Sequence, residues 1–507
     1  MDRSSGILMH ISSLPSPYGI GTLGKEAYDF ADFLKAAGQK YWQLLPVGPT
    51  SYGDSPYQSF SSFAGNPYFI DLDMLIDDGL LKQEEVDSLR WCKQDTQVEY
   101  SLLYENRWKV LRKASERGWD RDTDEIAAFI KENEWVDQYG KFMALKAANG
   151  MVAWTEWTRK DYGDDLSDDY RLYVYTQYLF FGQWTAFKTY VNDLGIKLIG
   201  DVPIYVPLDS ADVWSEPCQF QLDGDNLPVA VSGVPPDRFS DEGQLWGTPL
   251  YDYEYMKTDG YSWWIRRIGG VTKMFDVIRI DHFRGFDAYW SVPYGSENAM
   301  NGEWIKGPGY DLVGRLTSWF SDIEFIAEDL GVQTDSLHEL IEQSGLPNMK
   351  VLQFAFDPKE DSSNLPHRYN RNCVCYTGTH DNPTLQQWAE DSDSYVVTFA
   401  REYCGISGLA PRNRSTGGKT EADIFNLAII RTGMSSVANL FVAPMQDWLT
   451  LGREGLMNIP QRLGNNWMWR MKKGAATRQL AFEIKRMTET YSRNPDIKLE
   501  KSTEAKA

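Results

Sequence analysis

Eight short apolar segments, each followed by polar or charged residues and a turn, limit the fold of this chain more than any other feature of its sequence. Amphipathic helical patterns separate most of them, as at 24–38 and 168–193. Strands that alternate with helices predict a parallel sheet, and eight such strands predict a closed (β/α)8 TIM barrel of the α/β class. The eight segments span residues 7–14, 41–49, 197–206, 277–285, 325–331, 349–356, 374–382 and 440–448.

The unequal spacing of these segments predicts two insertions on a single catalytic barrel that occupies residues 1–507. Residues 50–165 follow the second segment, and their helical periodicity predicts a largely helical insertion subdomain. Residues 207–258 follow the third segment and are rich in Pro, Gly and Asp, which is typical of loops. Residues 493–507 have the composition of a polar tail, so we expect no additional β-domain after the eighth segment.

The charge balance argues against two classes of partner. The formal net charge is −21 and the sequence pI is about 4.8, whereas nucleic acids and anionic membrane surfaces bind basic patches. No apolar stretch reaches the roughly 18 residues of a membrane-spanning helix, and the first residues lack the apolar core of a signal peptide. We therefore expect a cytoplasmic protein with no nucleic-acid and no membrane partner.

Cysteine and aromatic usage add two further constraints. The five cysteines are scattered and too few to indicate a disulfide framework, and we expect Cys373 and Cys375, which alternate along the seventh segment, in the core. Aromatic residues make up 14% of the chain. Many of them fall in loop-like stretches such as 51–60 and 243–255, where aromatic rings can serve as flat platforms for a ligand.

Ionisable side chains recur where the apolar segments end. In (β/α)8 barrels the catalytic groups lie at the C-terminal ends of the strands, so we expect these side chains to meet at one mouth of the barrel. Carboxylates that converge there repel one another unless one is protonated or an arginine neutralises them. The side chains are Asp201 in the third segment, Asp281 and His282 in the fourth, Glu328 and Asp329 in the fifth, His380 and Asp381 in the seventh, and Gln446 and Asp447 in the eighth.

The fourth segment, VIRIDHFRG, carries charges within an apolar strand pattern. Burying an unpaired charge is unfavourable, so these charges need partners. Arg279 lies two residues before Asp281 and therefore on the same face of the strand, where it can keep Asp281 ionised. One ionised and one protonated carboxyl group are the minimum for retaining glycoside chemistry, and a third carboxylate can bind sugar hydroxyls.

Each of these side chains also has a structural interpretation. Arg279 and Asp281 are compatible with an ion pair that stabilises the barrel, and Asp201 with a buried hydrogen-bond acceptor. Glu328 and Asp329 fit an acidic pair at the N-terminus of a helix. Histidine and aspartate at a barrel mouth can also bind a metal ion, but the five histidines lack the spacing of paired ligands, so we expect no metal.

Four motifs at the segment ends closely resemble the conserved regions of amylomaltases, the 4-α-glucanotransferases of glycoside hydrolase family 77 in the α-amylase clan. In order, they are GDVPIYV, RIDHFRG, AEDLG and TGTHDN. The stretches HISSLPSPYGIGTLG, GQLWGTPLY and NIPQRLGNNWMWR extend the resemblance over nearly the whole chain. It implies a barrel without the C-terminal β-domain of the amylases, no cofactor, and transfer of α-1,4-glucan segments by a retaining double displacement.

The resemblance also implies a role for individual residues. Asp281 would be the nucleophile, Glu328 the general acid/base and Asp381 the transition-state stabiliser. Arg279 would orient and ionise the nucleophile. The remaining substrate-binding residues implied are His380 and Asp201 at the cleavage subsite, Tyr52, Asp54, Ser55 and Tyr57 in the first insertion, Gln244 and Trp246 in a loop that overhangs the cleft, and Asn458 with Asp357 near the donor sugar.

Three functional hypotheses follow. The first is a 4-α-glucanotransferase acting on α-1,4-glucans and malto-oligosaccharides, and the second is an α-amylase-like hydrolase of the same glucans. The third is a glucan-binding protein whose barrel has lost its catalytic residues. It is disfavoured because Arg279 and the three carboxylates, Asp281, Glu328 and Asp381, are present. The four motifs do not separate transfer from hydrolysis, and the sequence, without heptads, leaves monomer and homodimer open.

Overall fold

The eight apolar segments form a closed barrel of parallel strands in a computed structural model of the chain, which describes residues 1–237, 240–406, 420–460, 462 and 464–496. The barrel strands follow one another around the barrel in chain order, and it closes where Ser4 in the first pairs with Leu440 in the last. The predicted (β/α)8 fold is confirmed. In chain order the strands of the described residues are β1 (Ser4–Leu8), β2 (Tyr41–Gln43), β3 (Lys197–Pro203), β4 (Ala230–Val234), β5 (Gln244–Pro249), β6 (Val277–Asp281), β7 (Ala288–Pro293), β8 (Glu303–Lys306), β9 (Glu324–Ala327), β10 (Asn348–Val351), β11 (Cys373–Tyr376) and β12 (Leu440–Pro444).

Helices connect the barrel strands and cover the barrel. Those predicted at 24–38 and 168–193 are present as the first and the seventh helix. The helices of the described residues are α1 (Lys25–Ala36), α2 (Leu72–Asp77), α3 (Gln83–Asp87), α4 (Tyr100–Gly118), α5 (Thr123–Glu132), α6 (Trp135–Ala148), α7 (Ser167–Asp193), α8 (Ala211–Ser215), α9 (Tyr253–Thr258), α10 (Ser262–Met274), α11 (Tyr310–Trp319), α12 (Asp335–Ser344), α13 (Leu385–Asp391), α14 (Ser394–Tyr403), α15 (Glu421–Ser435), α16 (Met445–Trp448) and α17 (Arg478–Thr490). Among them, none is long and apolar enough to cross a membrane.

The barrel strands read as apolar runs because both of their faces are buried. In β6, Val277, Ile278 and Ile280 are at most 2% exposed, and the strand pairs in parallel with β3 and β9. Parallel sheets covered by helices require side chains of this kind on both faces. Cys373 and Cys375 in β11 are fully buried free thiols, as expected. The polar residues that follow each run therefore leave the core at the C-terminal mouth of the barrel.

The two predicted insertions differ in structure. Helices α2 to α6 lie within residues 50–165. Within 207–258, where the composition indicates loops, the structure has β4 and β5, which join β7 and β8 in an antiparallel four-stranded sheet ordered β5-β4-β7-β8. The periodicity of these strands is hard to recognise in the sequence because glycines interrupt them and a register shift divides the β4–β5 pair.

Arg493, at the start of the predicted polar tail, is fully buried and holds the last segments of the barrel together. Its guanidinium donates to the backbone carbonyls of Ser4 at the start of β1, Ala438 before β12 and Met434 in α15, at 2.8–3.0 Å. The tail interpretation is therefore wrong for this residue. Residues 497–507, the rest of the predicted tail, lie outside the described part of the chain.

We expect Arg493→Met to lower the free energy of unfolding by about 3 kcal/mol, because several buried carbonyls lose their donor at once. Arg478→Met, at the exposed first position of α17, is the matched control and should change it by less than about 0.5 kcal/mol. Denaturant-induced unfolding of the two variants checks this prediction. Equal midpoints would show that the Arg493 contacts contribute nothing to stability.

Candidate active site

An open cleft of about 340 Å³ lies at the C-terminal mouth of the barrel. Eight of the residues implied by the sequence line it: Ser55, Tyr57, Gln244, Trp246, Asp281, His380, Asp381 and Asn458. The cleft is also lined by residues to which the sequence assigns no contact, among them Tyr205, His282, Arg462, Asn466 and Trp467. Asp201, Arg279 and Glu328 lie directly behind its wall, because each is hydrogen-bonded to a lining residue. Most of the predicted site residues therefore meet at one mouth.

Arg279 is shared between two carboxylates. Its Nη1 lies 2.6 Å from Oδ1 of Asp201 and 2.8 Å from Oδ1 of Asp281. The side chains of Arg279 and Asp201 are 4% and 0% exposed, whereas that of Asp281 is 26% exposed and faces the cleft. Residues 201 and 279 are register partners in adjacent strands, so the barrel itself sets this contact. Asp201 is thus a buried hydrogen-bond acceptor, whereas the Arg279–Asp281 ion pair reaches the cleft.

The carboxyl group of Asp281 is poised to be ionised at neutral pH. Burial raises its pKa, the positive charge of Arg279 lowers it, and the negative charge of Asp201 raises it, with a net value of about 6. A nucleophile must be ionised to attack, and this carboxylate meets that requirement above its pKa.

Glu328, at the end of β9, is the protonated member of the pair at neutral pH. Burial raises its pKa, Arg279 lowers it and Asp281 raises it, so that the pKa is about 8. Its carboxylate accepts backbone N–H bonds from His282 at 2.7 Å and Leu330 at 2.6 Å, which favour the ionised form. Two carboxyl groups whose surroundings push their pKa values apart are the signature of an acid/base assignment.

Asp381 is held ionised by the residues beside it. Burial raises its pKa, but the opposing effects of His380 and Asn458 bring it down to about 2. Nε2 of His380 lies 3.2 Å from one carboxylate oxygen, and Nδ2 of Asn458 donates to the other at 2.6 Å. Although burial lowers the pKa of His380, the same carboxylate raises it above its usual value. The pair presents a fixed negative charge and hydrogen-bonding groups to the cleft.

Aromatic rings form one wall of the cleft. Tyr57 stacks on His380 with the ring centroids 5.0 Å apart, and its hydroxyl donates to Oδ2 of Asp201 at 2.8 Å. Trp467 tilts against both rings at 5.7 and 5.8 Å and has a positive φ of 63°. The sequence analysis does not predict Trp467, because its contacts with Tyr57 and His380 join segments that are distant along the chain. Its only sequence signal was its place in NIPQRLGNNWMWR.

Another part of the cleft lining comes from the small sheet. Along β5, Gln244 and Trp246 line the cleft, and Nε1 of Trp246 donates to Oε1 of Gln244 at 3.3 Å. The indole meets the imidazole of His282 edge to face, with ring centroids 4.7 Å apart. The residues expected in an overhanging loop therefore lie on a strand, beside the residue that follows Asp281.

Two further described residues implied by the resemblance do not line the cleft. Asp54 and Asp357 are not among the residues that line the cleft in the described structure. Asp54 is half-buried, which raises its pKa to about 6, and Asp357 accepts the backbone N–H of Lys359 at 2.9 Å. The side chain of Tyr52 lies outside the described part of the structure. Among the described residues, no group of three or more His, Cys, Asp or Glu is arranged to hold a metal ion.

Comparison with known proteins fits this geometry. Residues 9–477 match the family model for glycoside hydrolase family 77, described as 4-alpha-glucanotransferase. The chain belongs to this family. The 4-alpha-glucanotransferase of Clostridium butyricum is 46% identical over 498 residues, which cover 96% of this chain and all of that protein, and that of Streptococcus pneumoniae TIGR4 is 44% identical with 97% of each chain covered.

Solved structures of family members share the architecture. The amylomaltase from Streptococcus agalactiae, solved in complex with acarbose, has a TM-score of 0.92 and 39% identity, with 97% of this chain and 99% of that one covered. The Corynebacterium glutamicum amylomaltase shares the fold at 17% identity, with a TM-score of 0.78 over 97% of this chain and 75% of that one. The family resemblance is confirmed, and with it the activity of a 4-α-glucanotransferase; the hydrolase alternative is not favoured.

We expect Asp201→Asn to shift the acidic limb of the pH–rate profile to lower pH. The substitution removes a negative charge that raises the pKa of Asp281, and Asp281 then becomes the only carboxylate that Arg279 contacts. The shift should be up to about one pH unit. Tyr57→Phe is the control, because it removes a hydrogen bond to Asp201 and keeps its charge. The measurement is kcat/KM as a function of pH. If the acidic limb of Asp201→Asn stays in place or moves to higher pH, Asp201 does not raise the pKa of Asp281.

Proposed function

We propose that this 4-α-glucanotransferase moves a segment of an α-1,4-glucan to the 4-hydroxyl of an acceptor glucan or of glucose, with Asp281 as nucleophile and Glu328 as general acid/base. The observation that carries the proposal is the pair of carboxyl groups at one cleft, one with a pKa of about 6 and the other with a pKa of about 8. Between these values one is ionised and the other protonated, as a retaining double displacement requires.

In the first step the carboxylate of Asp281 attacks the anomeric carbon of the donor glucan. The bond from that carbon to the glycosidic oxygen breaks, and the oxygen takes the proton of Glu328 as the leaving chain departs. The donor segment is then bound to Asp281 as a β-glycosyl ester, and Glu328 is ionised. Arg279 supports this step by holding Asp281 at 2.8 Å in the orientation of attack.

In the second step the acceptor 4-hydroxyl attacks the same carbon. Ionised Glu328 removes the hydroxyl proton, the ester bond to Asp281 breaks, and a new α-1,4 linkage forms. The backbone N–H groups of His282 and Leu330 favour the ionised state that this step needs. Both steps are acid–base and nucleophilic chemistry on an acetal, for which the two carboxyl groups suffice, so the proposed reaction uses no cofactor.

The groups around the two carboxyls would bind the sugar at the cleavage point. Asp381, ionised beside His380 and Asn458, is suited to accept sugar hydroxyls and to stabilise the positive charge of an oxocarbenium-like transition state. Tyr57 and Trp467 offer ring surfaces to the apolar C–H face of a pyranose. The acarbose complex of the S. agalactiae relative supports a glucan-like occupant of this cleft.

Transfer dominates over hydrolysis when the cleft excludes water and binds an acceptor well. Here Trp246 lies against His282 beside the nucleophile, and the rings of Tyr57 and Trp467 also line the cleft. We propose α-1,4-glucans and malto-oligosaccharides, the chains of starch, glycogen and maltose metabolism, as substrates. The acidic composition supports a cytoplasmic site of action without nucleic-acid or membrane partners.

We expect a bell-shaped dependence of kcat/KM on pH. The rate rises as Asp281 ionises, with a pKa of about 6, and falls as Glu328 loses its proton, with a pKa of about 8. Glu328→Gln should lower activity on glucans about 10²–10⁴-fold and abolish the alkaline limb. Glu324→Gln, at the other end of β9, is the matched control and should keep both limbs.

The roles of the two carboxyls can be separated with α-maltosyl fluoride as donor. Fluoride departs without a proton, so Glu328→Gln should release it in the first turnover at a rate close to that of the wild type, whereas Asp281→Asn should not. Release of fluoride by Asp281→Asn at the wild-type rate would rule out Asp281 as nucleophile.

Incubation with maltotriose tests the reaction itself. The wild type should convert it to glucose and longer malto-oligosaccharides, resolved by chromatography, and Asp281→Asn should be at least about 10³-fold slower. Products restricted to sugars shorter than maltotriose would show hydrolysis instead of transfer.

A further inference from the structure

His282, the residue after the proposed nucleophile, has a left-handed backbone with φ 52° and ψ 45°. Side chains with a Cβ rarely adopt this conformation, and it persists only where the surrounding structure enforces it. Backbone strain of this kind clusters at functional sites. The turn ends β6 immediately after Asp281 and redirects the chain toward the end of β9.

This turn places three backbone contacts around Glu328. The N–H of His282 donates to its Oε2 at 2.7 Å, and the N–H of Phe283 donates to its carbonyl oxygen at 2.9 Å. In the other direction, the N–H of Glu328 donates to the carbonyl of Ile280 at 3.1 Å. The peptide groups on both sides of the nucleophile therefore fix the acid/base in place.

The charged groups that face Glu328 come from β6: Arg279, which favours its ionised form, and Asp281, which opposes it. The neighbouring carboxylate of Asp329 is turned to Asn348 and to the backbone N–H of Met349. The imidazole of His282 carries no charge at neutral pH, because burial and the charge of Arg284 lower its pKa to about 3. The uncharged donors to the carboxylate are the N–H groups of His282 and Leu330.

We propose that His282 is a positioning residue for Glu328: its left-handed backbone holds an N–H donor on the carboxylate, while its imidazole packs against Trp246 of the small sheet and holds that ring at the cleft. The inference rests on the proposed acid/base role of Glu328. The donor stabilises the ionised carboxylate that receives the proton of the acceptor hydroxyl.

The choice of histidine at this position follows from both contacts. Glycine would adopt the backbone conformation without strain but would have no side chain to contact Trp246. The imidazole is partly buried, lines the cleft and meets the indole of Trp246 at 4.7 Å. His282 therefore contacts the strand that lines the cleft through its side chain, and the acid/base Glu328 through its backbone.

Two substitutions separate the backbone role from the side-chain role. His282→Val removes the imidazole and disfavours the left-handed conformation, because valine is β-branched; His282→Gly removes the imidazole and accommodates it. We expect the alkaline limb of the pH–rate profile to move up by about one pH unit in His282→Val, since the ionised carboxylate loses a donor. In His282→Gly the alkaline limb should stay where it is in the wild type.

The side-chain role has its own readout. With maltotriose as substrate, His282→Gly should release a larger fraction of hydrolysis products than the wild type, by about twofold or more, because Trp246 loses its contact at the cleft. An unchanged product ratio would overturn the proposed link to the small sheet.

The same measurements distinguish failure of this inference from failure of the proposed function. If Glu328→Gln keeps the alkaline limb, Glu328 is not the acid/base. If Glu328→Gln abolishes the limb but His282→Val and His282→Gly both leave it unmoved, the positioning role is overturned. Should His282→Val fail to fold, His282→Ala replaces it, because alanine differs from glycine by the Cβ alone and still disfavours the left-handed backbone.

Discussion

The guanidinium of Arg279 lies between the carboxylates of Asp201 and Asp281, and the first of these contacts is almost wholly removed from water. Removing one partner of such a group leaves a buried charge unpaired, so the three side chains form one unit. Its orientation follows from strand register, because residues 201 and 279 are neighbours across the β3–β6 pair. The barrel thus determines where Asp281, the proposed nucleophile, lies and how readily it ionises.

The strands and carboxylates could be predicted from the sequence because each rests on a local pattern. A doubly buried parallel strand needs an unbroken apolar run, and an ionisable residue at its end, such as Glu328 in AEDLG, marks the mouth of the barrel. The left-handed turn at His282 and the backbone donors to Glu328 could not, since neither backbone conformation nor peptide hydrogen bonds are encoded in side-chain periodicity. The position of Trp467 in the cleft could not be predicted either, because its contacts join distant parts of the chain.

The cleft is assembled from separate parts of the chain around the strand ends. Tyr57 follows β2, Trp246 lies in β5 of the small sheet, and Trp467 follows β12. Their rings contact His282, which follows β6 directly, or His380, four residues after the end of β11. Different segments therefore supply the ionisable groups of the barrel mouth and the rings of the cleft, and the two sets meet at His282 and His380.

The pairing of β1 with β12 has a consequence for how the protein is made. The first barrel strand emerges from the ribosome early, but one of its edges has no partner until the last barrel strand has been synthesised. An unpaired strand edge is a template for wrong pairing, and closure over such a separation is slow. Arg493, which ties the start of β1 to the segment before β12, arrives later still. The nascent chain must therefore protect an open sheet edge for nearly the whole of its synthesis.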